Sequence, residues 1–140
     1  MSSPKQVIII RKDLNMRKGK IAAQASHASM KILLDLLESK SVIESGKIDR
    51  SKTELSLVYD NDSPLGQWLS GKFTKICLSV ESEEELLDIY NKACSANILS
   101  ALIKDAGLTE FNGVPTLTCC AIGPDFPDKI DIITSHLKLL

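Results

Sequence analysis

The sequence predicts a single α/β domain built on a mixed sheet. Three observations carry this. Strand-like runs alternate with helical periodicities in the order β-α-(insert)-β-α-β-β-α. Asn112-Gly113 separates the last two strand-like runs, which makes them antiparallel hairpin partners. And 140 residues, 44% apolar and 25% charged, suffice for one core without a disulfide or metal staple.

Each element has its own local reason. Met1 to Pro4 is expected to be a loose leader. Lys5–Arg11 contains four consecutive β-branched residues, Val7 to Ile10, as in a strand covered on both faces. Asp13, Asn15 and Gly19 are turn and cap residues, and a helix follows over about 20–38. At about 100° per residue, Ile21, Ala25, Ala28 and Ile32 share one arc. Lys20, Gln24, His27 and Lys31 share another, so an apolar stripe runs beside a row of polar groups. Residues 39–63 are rich in Ser, Lys, Glu and Asp and are expected to form a surface excursion with one irregular helix; with the residues up to 66 they form an insert. Ser63 and Pro64 suit the N-cap and first turn of a short helix anchored by Trp68 and Leu69 and ended by Gly71. Phe73–Val80 alternates, with Thr74, Ile76, Leu78 and Val80 on the core face. Ser82 and Glu85 form a capping box for a helix whose stripe is Leu86, Leu87, Tyr90, Ala93 and Cys94, with Asn97 at its end. Leu99–Ile103 is a short strand running into Asp105-Ala106-Gly107. Thr116–Ile122 is the last strand, closed by Gly123-Pro124, and Asp125 and Pro127 open a helix to about Ser135.

The net charge of −1 does not advertise a polyanion partner, but the distribution does. Seven Lys or Arg lie in residues 1–31 (Lys5, Arg11, Lys12, Arg17, Lys18, Lys20 and Lys31) against one acid, Asp13, so the remainder is net acidic. Basic side chains gathered at a helix N-terminus, which already favours anions, point to phosphate binding. A solvated charged helix face is the plainer account of the same residues. Cys77, Cys94, Cys119 and Cys120 lack zinc-site spacing and are expected to be reduced core residues of a cytosolic protein. No signal peptide and no apolar run long enough to span a bilayer is recognisable.

Six segments taken together resemble the peptidyl-tRNA hydrolases of the archaeal and eukaryotic type: RKGKIAAQASHA (17–28), WLSGKFTKI (68–76), SEEELLDIYNKA (82–93), LIKDAGLTE (102–110), TLTCCAIGP (116–124) and IDIITSHLKLL (130–140). The resemblance implies a four-stranded mixed sheet flanked by helices on both faces. It implies hydrolysis of the ester between a peptide and the terminal ribose of tRNA, with no metal or other cofactor. The family's lysine in K-G-K-x-A-A-Q falls on Lys20, with Gln24 and His27 on the same helix. The aspartate and threonine of D-A-G-x-T-Q fall on Asp105 and Thr109, and the threonine of the T-x-T strand on Thr118, with Thr116 beside it. Three features depart from the family pattern: Glu110 stands where the motif has glutamine, the NGVP loop is longer, and the insert at 39–66 is enlarged. The extra carboxylate of Glu110 is placed to repel the acceptor end or to alter the ionisation of Asp105.

Ester hydrolysis needs a positioned water, a group to take its proton and donors for the oxyanion. Asp105 is suited to orient or deprotonate the water, Lys20 to stabilise the anion, and Thr109 and Thr118 to donate hydroxyls; His27 is a second candidate base. Arg17, Lys18, Gln24, Lys31 and Thr116 are the candidate contacts to the acceptor end of peptidyl-tRNA. Lys20 and Asp105 each follow a strand, and ligand clefts in open α/β sheets form at such ends. Three other readings are carried: an inactive RNA-binding module of the same fold, a cysteine hydrolase using Cys119 or Cys120 with His27 or His136, and a protein-interaction domain. Leu137, Leu139 and Leu140 can pack at home or on a second copy, so a homodimer is an open expectation.

Overall fold

The computed structural model describes residues 2–140. The elements are β1 (Lys5–Arg11), a 3-10 turn (Lys12–Leu14), α1 (Lys18–Leu36), β2 (Glu38–Glu44), β3 (Lys47–Ser56), α2 (Pro64–Ser70), β4 (Lys75–Val80), α3 (Glu83–Ser95), β5 (Ser100–Asp105), β6 (Thr116–Asp125), α4 (Pro127–Thr134) and β7 (Lys138–Leu139). The main sheet has five strands in the order β5-β6-β1-β4-β7, and β2-β3 form a separate two-stranded ribbon. The sheet is mixed: β1 and β4 are parallel, and the other neighbouring pairs are antiparallel.

Both faces of this sheet are covered, and alternation along the strands sorts residues between two cores. Val7, Ile9, Leu78, Val80, Cys120 and Ile122 pack with α3 (Leu86, Ile89, Ala93) and α4 (Ile130, Ile133). Ile8, Ile10, Ala101, Ile103, Cys119 and Ala121 pack with Ala28 and Ile32 of α1 on the opposite face. Ser82 caps α3 as expected, its Oγ accepting from the Glu85 N–H at 3.0 Å, while the returning Glu85 carboxylate accepts from the Glu81 N–H, one residue before the N-cap. Ser63 Oγ caps α2 by accepting from the Gly66 N–H.

The structure corrects several expectations. The sheet has five strands rather than four, because the two residues of β7 add to the β4 edge. Residues 38–56 form the β2-β3 ribbon, not an irregular helix; the ribbon is exposed on nearly every residue, so no burial pattern marked it. On α3, Ile89 is buried where Cys94 was expected; Cys94 is exposed and is not a core thiol. Pro4 is buried and so is not part of a loose leader, of which Met1 lies outside the described residues. Strand β6 runs beyond Ile122 to Asp125, and α1 begins at Lys18.

Candidate active site

The C-terminal ends of β1 and β5, the start of β6 and the head of α1 meet at one edge of the sheet. Lys20 and Gln24, one turn apart on α1, both point to the β5-β6 hairpin. Lys20 Nζ donates to Asp105 Oδ1 at 2.9 Å and to Thr109 Oγ1 at 2.8 Å, and lies 5.7 Å from the Phe111 ring centre. Gln24 is buried; its Nε2 donates to Asp105 Oδ1 at 3.2 Å and its Oε1 accepts from Thr118 Oγ1 at 2.5 Å.

Asp105 is fixed from its other side by the chain that follows. The Gly107 N–H donates to Asp105 Oδ2 at 2.8 Å. Gly107 has φ +81°, and a Cβ there would meet Val114 O at 2.2 Å, so only glycine fits where the two sides of this loop touch. A further bond, from the Gly113 N–H to Gly107 O at 2.7 Å, closes the loop that delivers Thr109.

Thr118 reaches the site through a β-bulge. Ile103 pairs with Cys119 but Lys104 pairs with Leu117, which leaves Thr118 as an extra residue in β6. Strict alternation from Cys120 and Ile122 would put Thr118 in the α3-α4 core. The bulge turns it to the α1 side, where its hydroxyl meets Gln24, and Leu117 takes the opposite side. A sequence reading could name Thr118 but had no signal for this change of face.

The Lys20 hydrogen bond does most to hold the Asp105 carboxyl below its usual range; burial pushes the other way, and the Gly107 N–H, the Lys20 charge and the Gln24 amide add to the lowering. Asp105 is therefore a carboxylate at neutral pH. The cluster opens on a shallow cleft of about 510 Å³ lined by Arg17, Gly19, Lys20, Ala23, Thr109 and Glu110.

A family model described as "Peptidyl-tRNA hydrolase PTH2" matches residues 4–140. The chain belongs to this family. Its relatives include proteins named peptidyl-tRNA hydrolase from Methanocaldococcus jannaschii, 40% identical over 97% of this chain and 99% of that protein, and from Sulfolobus acidocaldarius, 38% identical over 97% and 99%. A "Probable peptidyl-tRNA hydrolase 2" of Dictyostelium discoideum is 36% identical over 96% of this chain and 54% of its own length. A solved Agrobacterium protein of unknown function, 11% identical, superposes with a TM-score of 0.54 over 100% of this chain and 99% of that one, which shows a shared fold alone.

Of the residues expected to act in this PTH2-family chain, Lys20, Gln24, Asp105, Thr109 and Thr118 come together. The others lie around them or apart. Arg17 and Lys18 are exposed at the head of α1. Lys31 is paired with Asp35 at 3.0 Å, about 16 Å along the helix from Lys20. His27 is exposed, about 10 Å along α1 from Lys20, with no hydrogen bond or ion pair among the described residues. Thr116 pairs across the hairpin with Asp105 but gives its hydroxyl to Val114 O at 2.8 Å. Arg11 is turned inward onto Asp13, Leu117 O and Glu83 and is not part of the exposed basic face.

The cysteine reading fails on these positions. Cys119 is buried, its Sγ–H donates to Gln24 O at 3.3 Å, and burial pushes its thiol up to about 11. Cys120 is buried on the other face and its thiol is also pushed up by burial. Neither supplies a thiolate at neutral pH. Gly107 and Phe111 were not singled out as site residues from sequence. The Asp-x-Gly spacing was a usable signal for the first, and an aromatic inside a polar loop for the second.

Proposed function

We propose that the chain hydrolyses the ester joining a peptide, or an N-blocked aminoacyl group, to the terminal ribose of tRNA, that Lys20 and Asp105 carry the chemistry, and that Thr109 and Thr118 hold them in place. The position of the Lys20 ammonium supports this best: it sits at the rim of an open cleft, held by two residues more than eighty positions away. An ammonium has three donors. Asp105 and Thr109 take two, and the third is free for the ester carbonyl and for the oxyanion that develops on it.

The same counting applies to Asp105, whose two oxygens offer about four acceptor positions. Lys20 and Gln24 fill those of Oδ1; the Gly107 N–H fills one on Oδ2 and leaves one for a water. The water attacks the carbonyl carbon and its proton passes to Asp105; as the bond between the carbonyl carbon and the ribose oxygen breaks, Asp105 returns that proton to the leaving oxygen. A carboxylate held below its usual range is a weak base, so oxyanion stabilisation by Lys20 carries the larger share of the rate. Thr118 acts through Gln24, whose buried amide makes it a positioning residue rather than a tRNA contact. His27 remains the alternative base. The pH dependence of kcat/KM for wild type, Asp105→Asn and His27→Ala separates the two.

Arg17, Lys18, Lys31 and Thr116 are assigned to the acceptor end, which is read by backbone and A-form shape. A cytoplasmic location belongs to the same reading, and the free cysteines suit a reducing compartment. Association of two copies through exposed Leu139 and Leu140 is tested by sedimentation velocity, and a single monomer boundary removes it.

Hydrolysis of an N-acetylated aminoacyl-tRNA under single turnover tests the whole. Lys20→Ala is expected to lower the rate about 10²- to 10³-fold. Lys18→Ala is expected to raise KM and reduce the slope of log affinity on log salt by about 0.7 to 0.9 while sparing turnover. Tight tRNA binding with no cleavage by the wild-type chain makes it a binding module instead.

A further inference from the structure

We infer that Glu110 is a positioning residue for this reaction: its carboxylate fastens the loop bearing Thr109 to the head of α1 and thereby keeps the Lys20 ammonium in its working orientation. The inference rests on the ester-hydrolase reading above. Three consecutive residues of the loop touch the first turn of α1. Thr109 Oγ1 accepts from Lys20 Nζ at 2.8 Å, Glu110 Oε1 accepts from the Arg17 N–H at 3.4 Å, and Phe111 packs on the α1-side core near Lys20. Glu110 is the middle of the three, and its side chain is only 18% exposed although its loop lies on the surface.

The partner that matters is the helix and not the Arg17 side chain. That guanidinium is 91% exposed and 3.7 Å away, a geometry that holds little. Arg17 is the N-cap of α1 and offers no side-chain cap of its own, so the unpaired N–H groups there lack a partner from their own segment. A carboxylate set against them satisfies one and lies at the positive end of the helix dipole. Glu110 is thus engaged by the head of the helix, and the groups that shift the Asp105 carboxyl are Lys20, Gly107 and Gln24 with burial, not Glu110.

Thr109 itself is exposed and has no other side-chain hydrogen bond among the described residues. Without Glu110 the only hydrogen bond among the described residues that ties this part of the loop to the helix is the one from Lys20 to Thr109, with the packing of Phe111 beside it. If Thr109 drifts, the ammonium is free to turn onto Asp105 with the donor that should meet the ester. The charge of Glu110 is not required for this, because glutamine accepts the same N–H bond. The charge does act on the substrate, since it offsets one of the cations assigned to tRNA phosphates.

The test compares wild type, Glu110→Ala and Glu110→Gln on an N-acetylated aminoacyl-tRNA, with melting curves for each. Glu110→Ala is expected to lose about tenfold or more in kcat. Glu110→Gln is expected to restore kcat while lowering KM and steepening the salt slope by about 0.7 to 0.9. Wild-type kcat in Glu110→Ala, or a Glu110→Gln variant as slow as Glu110→Ala, overturns the inference. Absence of cleavage by the wild type overturns the hydrolase reading itself and is told apart by that control.

Discussion

Replacing Asp105 by asparagine keeps the shape of the side chain and removes one acceptor. In the wild type Oδ1 accepts from Lys20 and Gln24, and Oδ2 accepts from the Gly107 N–H. An amide presents only one oxygen, so either orientation sets its NH₂ against another donor. The Lys20–Asp105 pair is largely out of solvent, with side chains 14% and 16% exposed. Removing one partner of a fully buried pair costs about 3–5 kcal/mol, and partial exposure brings the expected loss down to about 2 kcal/mol. For a domain of this length that is a fall of about 6 °C in Tm. The pH dependence has a definite sign. The Asp105 pKa is depressed in the folded state, so its contribution is fully present above the unfolded carboxyl value of about 3.9 and is lost as pH falls through the lower folded value. Urea unfolding of both proteins at pH 7 and at about pH 3 reads this directly: the gap should be full at the first and narrower at the second. On the substrate, kcat should fall about 10²- to 10³-fold. Equal stability at pH 7, or a gap that widens on acidification, refutes the arrangement of donors described here.

Three other outcomes are expected. Gly107→Ala forces a Cβ against Val114 O at a positive φ, so it should lower Tm by several degrees, as for about 2 kcal/mol, and reduce kcat at least tenfold by shifting the N–H on Asp105; unchanged kinetics would show that the loop yields without disturbing the site. Thr118→Val leaves Gln24 Oε1 without its donor in a buried place, and should cost about 1–3 kcal/mol in urea unfolding with a several-fold loss in kcat and little change in KM. A thiol reagent on the native protein should label Cys94 first and leave Cys119 and Cys120 unmodified, with activity retained; mass spectrometry after digestion identifies the sites.

Elements whose sequence pattern coincides with burial were legible. Val7 to Ile10 is apolar on both sides because it is covered on both sides, and Ser82 with Glu85 marks the start of α3 through groups that do bond to it. The Asn112-Gly113 turn gave the β5-β6 pairing. The β2-β3 ribbon was not legible, because strands exposed on both faces show no alternation to detect. Neither was β7, since a two-residue edge strand owes its place to the partner β4 and not to its own sequence. Within the site, Lys20, Asp105, Thr109 and Thr118 were named from motifs, and their meeting depended on contacts between distant segments. Gln24 was expected on the surface with the other polar residues of its arc, yet it faces the hairpin and is buried. Its neighbours at i±3 and i±4 do not reveal that, because the group that covers it comes from a strand more than ninety residues later.

The single unpaired residue in β6 makes one strand serve two phases. Thr118 and Cys119 fall on the α1 side in succession, while Leu117 before them and Cys120 after them both keep the α3-α4 side. Adding one residue to β5 opposite Thr118 would give every residue of β6 a partner, and strict alternation would then send the hydroxyl into the α3-α4 core and the leucine to the α1 side. Which side of the sheet can do chemistry is therefore fixed here by arithmetic along the backbone, before any side chain is chosen.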